Sequence, residues 1–343
     1  MKLHRIMDPK SIDERLLAQA LADDANGVVM QFSQKSAYNT SLLEEVNGAC
    51  RTFGRKVNVR FYAHYGSHFD CAHLRHLPEV RSLNLDCLDG ISNADELAHL
   101  QHLEEFDFGV YDSDLPELLR IPSLMNLRKL IIGPSRKNNI DLSPLAGYKR
   151  LEDLSLCAQT RGLESIAHLD MVRRLFFSGM GKRQSLHFVR TMKGLVSLKI
   201  MLGGREDFKD LAHPGIVNLD VIRVRGLFEV DLELFPNLEK LRIEDQLQIS
   251  TLSLTNGPHL RRLSVANCKA LRLLQGIGSA ERLESLLLSR TAIEPESILR
   301  DLPECLKCLS LSGYGNRRDD ELRSKIESMG YVPAKYMHDE HAL

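Results

Sequence analysis

Tryptophan is missing from this chain and aromatic residues make up only 6% of it, so its apolar core must be built from aliphatic side chains. No apolar run approaches the roughly 18 residues of a membrane-spanning helix, so no membrane partner is expected. Neither charge sign is in excess: 45 Lys+Arg against 46 Asp+Glu leave a formal net charge of −1. The whole chain is therefore not an electrostatic nucleic-acid or acidic-membrane binder. Seven cysteines, an odd number without regular spacing, make a disulfide scaffold unexpected and fit reduced thiols. The opening MKLHRIMDPKSIDERLL lacks the apolar stretch of a secretory signal, so a cytoplasmic protein is expected and the sequon Asn39-Thr40-Ser41 reads as incidental.

Chemical motifs are equally sparse. GxSxG, HExxH and EF-hand patterns do not occur, and Gly179-Met-Gly181-Lys182 fails as a phosphate loop because Arg183 follows the lysine. His64, His68, Cys71, His73 and His76 crowd one stretch with spacing that could suit zinc. However, Ala-His-Leu recurs at 98–100 and 167–169, which makes those histidines part of a repeat. Cys305-x-x-Cys308 lacks a second pair. No metal, cofactor, small-molecule substrate or enzymatic activity is therefore expected.

What is present is a period. Apolar residues spaced as LxxLxL occur at Val80-Leu83-Leu85, Leu103-Phe106-Phe108, Leu127-Leu130-Ile132, Leu151-Leu154-Leu156, Val172-Leu175-Phe177 and Leu195-Leu198-Ile200. They continue at Leu219-Ile222-Val224, Leu238-Leu241-Ile243, Leu260-Leu263-Val265, Leu283-Leu286-Leu288 and Leu306-Leu309-Leu311. Successive steps are 23, 24, 24, 21, 23, 24, 19, 22, 23 and 23 residues. Chance alignment of so many apolar positions is on the order of 10⁻⁴ even with the spacings left free.

Alternation at the last two positions is that of a strand with one buried face. Between strands, Asp114–Arg120, Leu142–Gly147, Ile166–Leu169 and Ile298–Leu302 read as short helices or 3₁₀ turns returning on the far side. Half-period apolar sets at Leu227-Val230-Leu232, Ile249-Leu252-Leu254 and Leu271-Leu274 predict short strands there instead.

The segment 67–313 thus resembles the leucine-rich-repeat family. The resemblance implies an α/β solenoid of about eleven repeats: a curved parallel sheet on the concave side, and short helices, 3₁₀ turns and some strands on the convex side. It also implies that a protein is bound. The chain is similar to compact bacterial cytosolic members, some of which neutralise toxins by binding them. It departs from the family at the ladder position three residues past the last strand leucine. That position keeps a ladder residue only at Cys268 and Thr291, and holds Leu88, Tyr111, Met180 or Leu227 elsewhere.

Residues 1–66 fall outside the period and read as an α/β cap: a helix at Ser11–Asp24 with Ser11 as N-cap, a strand at Gly27–Phe32, a helix at Ser41–Phe53 and a strand at Val57–Ala63. Residues 314–343 read as a helical cap, Arg317–Met329, and a tail. Such caps are needed because a stacked repeat leaves an apolar end uncovered.

Outward strand positions define where a partner would sit. The central repeats are expected to present Arg174, Phe176, Lys199, Met201, Val221, Arg223, Arg225, Lys240, Arg242 and Arg262. The early ones present a secondary acidic patch, Asp86, Glu105, Asp107 and Asp153, and the last two only small residues: Ser285, Ser289, Ser310 and Ser312. Arginine interleaved with aromatic and Met side chains has the composition of a binding hot spot. The expected partner is a protein with an acidic patch. The alternative, nucleic acid on the basic stripe, is disfavoured because outward aromatics for base stacking are nearly absent.

Overall fold

A computed structural model describes residues 4–23, 27–87 and 89–337. It divides into two units, Met1–Val172 and Arg173–Leu343. In the first, the strands are β1 His4–Met7, β2 Val28–Phe32, β3 Val57–Ala63, β4 Phe69–Asp70, β5 Ser82–Cys87, β6 Ile91–Ser92, β7 Glu105–Phe108, β8 Lys129–Ile132 and β9 Asp153–Cys157. Its helices are α1 Glu14–Asp23 and α2 Thr40–Phe53. The second unit contains β10 Arg174–Ser178, β11 Ser197–Met201, β12 Asn218–Ile222, β13 Lys240–Glu244, β14 Thr251–Ser253, β15 Arg262–Ala266, β16 Leu273–Gln275, β17 Ser285–Ser289 and β18 Cys308–Ser312. Its helices are α3 Pro295–Leu299 and α4 Asn316–Ser328.

Each unit is built on one parallel sheet of seven strands among the described residues: β1-β2-β3-β5-β7-β8-β9 in the first and β10-β11-β12-β13-β15-β17-β18 in the second. The chain returns between strands through 3₁₀ turns, as at Ser143–Gly147 and Leu163–His168. Two of the three half-period sets do form far-side strands, β14 and β16, paired with Leu252 opposite Leu274. At the third, Leu232–Leu234 is a 3₁₀ turn. The leading apolar residue and both inner strand residues of each repeat are buried, and their stacking makes the core.

The register corrects one repeat. Leu198 lies opposite Leu219 and Ile200 opposite Val221, so the inward set is Ile216-Leu219-Val221, not Leu219-Ile222-Val224. Val221 is 0% exposed, and Ile222 is the half-buried residue on the open face. With this frame the steps of 24 and 19 become 21 and 22. Two apolar frames overlap at this point, and the stacking neighbours select the one that keeps the coil even.

A second regularity was only partly visible in residue type. Two residues past the last inward strand residue, the backbone is left-handed at Ala158 in the first unit. In the second it is so at Gly179, Leu202, Arg223, Asp245, Asn267, Arg290 and Gly313. Glycine or asparagine takes this conformation cheaply, whereas Leu and Arg are held there by context. The context is a backbone bond to the next strand, such as Arg223 N–H to Glu244 O at 2.9 Å and Arg290 N–H to Ser312 O at 2.9 Å.

The ladder is fuller than residue type suggested. Ser135, Gln159 and Gln246 occupy the ladder position and are buried. Gln159 accepts from Ile140 N–H at 3.3 Å, and Gln246 Nε2 donates to Glu244 O at 3.0 Å. In the corrected frame the ladder residue of the β12 repeat is Val224 rather than Leu227. Leu88 lies outside the described residues.

At the start of the chain, β1 joins the sheet beside β2, with His4 opposite Val28. It is short and largely exposed, and so carries no alternation signal. Helix α1 is capped by Asp13 rather than Ser11: its carboxylate accepts from Arg15 N–H at 2.9 Å and Leu16 N–H at 3.3 Å. Asn39 of the sequon caps α2, accepting from Leu42 N–H at 2.9 Å. At the other end Leu322 and Ile326 of α4 are buried, and the edge of β18 pairs with Val332. The tail 338–343 lies outside the described residues.

Candidate functional site

Because successive strand residues point to opposite sides, each parallel strand places its first, third and fifth residues on the open face. Register then stacks these into rows. In the second unit the first row is Arg174, Ser197, Asn218, Lys240, Arg262, Ser285 and Cys308. The middle row is Phe176, Lys199, Asp220, Arg242, Ser264, Leu287 and Ser310. The third begins at Ser178 and Met201 and runs through Ile222 and Glu244.

The ten expected contact residues therefore separate. Arg174 and Arg262 are exposed in the first row, Lys240 lies half-buried between Asn218 and Arg262, and Met201 is half-buried in the third. Phe176 is on the face but only 5% exposed, with the Lys199 ammonium 4.8 Å from its ring centre. That cation–π contact gives the ring a structural partner within the chain, where the pattern counted it among outward contact residues. Val221 is not on the face at all; it belongs to the core, and its place is taken by Asp220 and Ile222.

Arg223 and Arg225 also leave the row. Arg223 is the left-handed corner residue, turned to the rim, where its Nη2 pairs with Asp245 at 2.7 Å. Arg225 lies beyond the corner, its backbone bridging to Gly204. Arg242 is on the face but 9% exposed, held by Glu244 Oε2 at 2.6 Å and near Asp220 Oδ2 at 4.0 Å. The ring of Tyr336 lies over it, 5.1 Å from its guanidinium carbon. Burial and the Glu244 carboxylate push the Tyr336 phenol up to about 12, so it is neutral.

The positive field is thus narrower than the sequence implied. In the middle and third rows Asp220 and Glu244 offset Arg242, while the first row carries three cations and no carboxylate.

The four acidic residues of the first unit do lie on its open face. Glu105 stands in line with Ser82, and Asp107 with Asn84, and Asp153 with Lys129. Their surroundings include bases that the pattern did not flag. Arg60 on β3 forms an ion pair with Asp86 and stacks 4.8 Å over Tyr62, and Arg55 reaches Glu105 at 3.6 Å. Asn58 bonds Ser82 at 2.8 Å and Asn84 at 2.7 Å, and Asn84 donates on to Asp107 at 3.2 Å. Burial, reinforced by Asp86, pushes the Asp107 carboxyl up to about 6.

In the histidine-rich stretch, His64 and His73 are packed, while His68 is exposed and His76 lies 3.9 Å from Glu44. His64 Nε2 lies 3.1 Å from Tyr38 Oη and its Nδ1 2.7 Å from Tyr62 O, and the ring joins Phe61 and Phe69. His73 packs edge-on to Tyr38, and burial pushes the Cys71 thiol up to about 12. No group of three His, Cys, Asp or Glu among the described residues could hold a metal ion. Cys305 points its thiol at Ala280 O and Leu283 O. No helix among the described residues is long and apolar enough to cross a membrane.

Strand, left-handed corner, buried ladder and 3₁₀ return, repeated about every 23 residues, define a leucine-rich-repeat solenoid. Solved structures agree on the fold. An internalin of Listeria monocytogenes is 18% identical with a TM-score of 0.54, covering 92% of this chain and 87% of that one. Toll of Drosophila, in the Toll–Spätzle complex, is 14% identical with a TM-score of 0.58, covering 94% of this chain and 48% of that one. No protein-family model matches the chain, and no curated protein matches it.

Proposed function

We propose that this chain is a non-catalytic protein-binding module of the cytoplasm. In this reading the first row of the second unit's open face receives an acidic patch of the partner. The observation that carries the reading is the row itself: Arg174, Lys240 and Arg262 with no carboxylate among seven stacked residues. Lys240 and Arg262 occupy adjacent strands about 4.8 Å apart, so one acidic segment spans both. Charges on a rigid sheet face steer encounter and fix register. Toll, similar in fold, is seen in a complex with Spätzle, which supports the reading by analogy alone. Buried unpaired thiols at Cys50, Cys71 and Cys268 suit a reducing compartment. The acidic face of the first unit is a secondary contact, its charge partly met by Arg60 and Arg55. Occupying the cationic row suffices for either a neutralising or a scaffolding role.

The test is affinity isolation from the native host with the wild type and with Lys240→Glu/Arg262→Glu. The double reversal is expected to weaken the recovered partner's binding by about 10- to 100-fold. Equal recovery by both proteins refutes the row as the site. A mobility shift of generic nucleic acid that vanishes between about 50 and 200 mM salt would transfer the row to the nucleic-acid reading.

A further inference from the structure

The last described segment, Tyr331–Met337, does more than finish the chain. Leu309 N–H donates to Val332 O at 2.9 Å and Val332 N–H to Lys307 O at 3.1 Å, which covers the backbone edge of β18. Beyond Val332 the segment leaves the edge. Ser310 Oγ donates to Ala334 O at 3.3 Å from the open face, and Ala334 is buried. Two residues later, Tyr336 rests on Arg242.

Arg242 belongs to β13 and Ser310 to β18, three strands or about 14 Å apart. The segment therefore runs across the strands of the second unit, and between its anchors lie β17 and β15. Their middle-row residues are Leu287 and Ser264, 8% and 2% exposed. Small residues floor this stretch: Ser264, Ala266, Ser285, Ser289, Ser310 and Ser312. A backbone can lie flat there, and this accounts for the small, neutral end of the face.

We propose that the open face from β13 to β18 is a seat for an extended peptide bearing a tyrosine over Arg242. Residues 334–337 of this chain are its resident occupant, and a partner must displace them. The second clause rests on the protein-binding reading above; the first does not.

The occupant satisfies its seat only in part, although the Tyr336 hydroxyl bonds Arg242 and Glu244. Arg242 is more than nine-tenths buried, yet its Nε has no hydrogen-bond partner and its Nη1 meets only Asp220 at 4.0 Å. Ser264 Oγ is likewise buried without a partner. Covered donors without acceptors weaken a complex. A competing segment that offers carbonyl or carboxylate oxygens at these places replaces the occupant, so the displacing partner is acceptor-rich around an aromatic residue. This agrees in sign with the cationic row alongside.

The experiment uses the full chain and needs no partner. Lys335, exposed in the segment, is a trypsin site whose cleavage reads the opening of the occupant. Tyr336→Ala is expected to speed that cleavage by about tenfold, whereas Tyr336→Phe, which keeps the ring over Arg242 and loses the hydroxyl's bonds to Arg242 and Glu244, is cleaved at an intermediate rate. A fluorescent peptide of residues 331–343 is then titrated onto both proteins. It is expected to bind Tyr336→Ala at least about tenfold more tightly than wild type, and to lose binding when Arg242→Ala is added. Equal cleavage rates in wild type and Tyr336→Ala overturn residues 334–337 as the resident occupant. Equal peptide affinities overturn the seat, and neither result bears on the Lys240/Arg262 test of partner binding.

Discussion

The repeat at β12 offers a direct trial of the stacking argument, because sequence pattern and structure assign opposite sides to two adjacent residues. Val221 is 0% exposed and packs in line with Ile200 and Ile243, while Ile222 stands on the open face between Met201 and Glu244. Val221→Ala removes two methyl groups from a packed core. At the usual cost of lost burial plus residual cavity, this destabilises by about 2–3 kcal/mol. Ile222→Ala removes more atoms from a half-exposed site and is expected to cost under about 1 kcal/mol. Both lose a β-branched side chain, so strand preference largely cancels in the comparison. Because stacked repeats can open locally, hydrogen exchange of a β12 peptide is the appropriate assay, with urea unfolding as a check. Exchange is expected to rise about 30-fold in Val221→Ala and less than about 5-fold in Ile222→Ala. If Ile222→Ala exchanges as fast as Val221→Ala, Val221 is not the inward residue of β12 and the stacking argument fails.

The reason that one strand slipped also shows how much was legible. Ten of the eleven strands lie where LxxLxL placed them, because a single frame of apolar residues existed in each. At 216–224 the run IVNLDVIRV supports two frames, and only the evenness of the steps distinguishes them. The face was less legible, since periodicity states which residues point outward and not what covers them. Nothing in the pattern places Lys199 on Phe176 or brings Tyr336 to Arg242. The corners were half legible. Gly179, Gly313, Asn267 and Asp245 are residue types that favour or tolerate a left-handed backbone, but Leu202, Arg223 and Arg290 are held there by the stacked neighbours. Arg223 was misplaced by the slipped frame: with Ile222 taken as inward it counts as outward, whereas the register puts it in line with inward Val221 and the left-handed corner turns it to the rim.

Two further perturbations probe backbone and charge. Gly203, at φ +74, would bring a Cβ to 2.2 Å from Met180 O, so Gly203→Ala is expected to cost more than about 3 kcal/mol in urea unfolding. A cost under about 1 kcal/mol would show that this turn has room the structure denies it. Asp107 tests the charge of the first unit's face. Its folded carboxyl titrates at about 6 against an ordinary value of 3.8, because burial and Asp86 favour the protonated form. Between those values the folded state holds more protons than the unfolded one, so stability from this group is greatest below about pH 4 and falls as pH rises to 6. Carboxylates held low, such as Asp70 and Asp141, act in the opposite direction below pH 4 and leave that window clear. Asp107→Asn keeps an acceptor for Asn84 and removes the charge. It is expected to gain about 1–3 kcal/mol over wild type at pH 7.5, and the gain is expected to shrink toward pH 4. A difference between the two proteins that does not change from pH 4 to 7 means that Asp107 titrates at an ordinary value, and that Asp86 and burial do not act on it as argued.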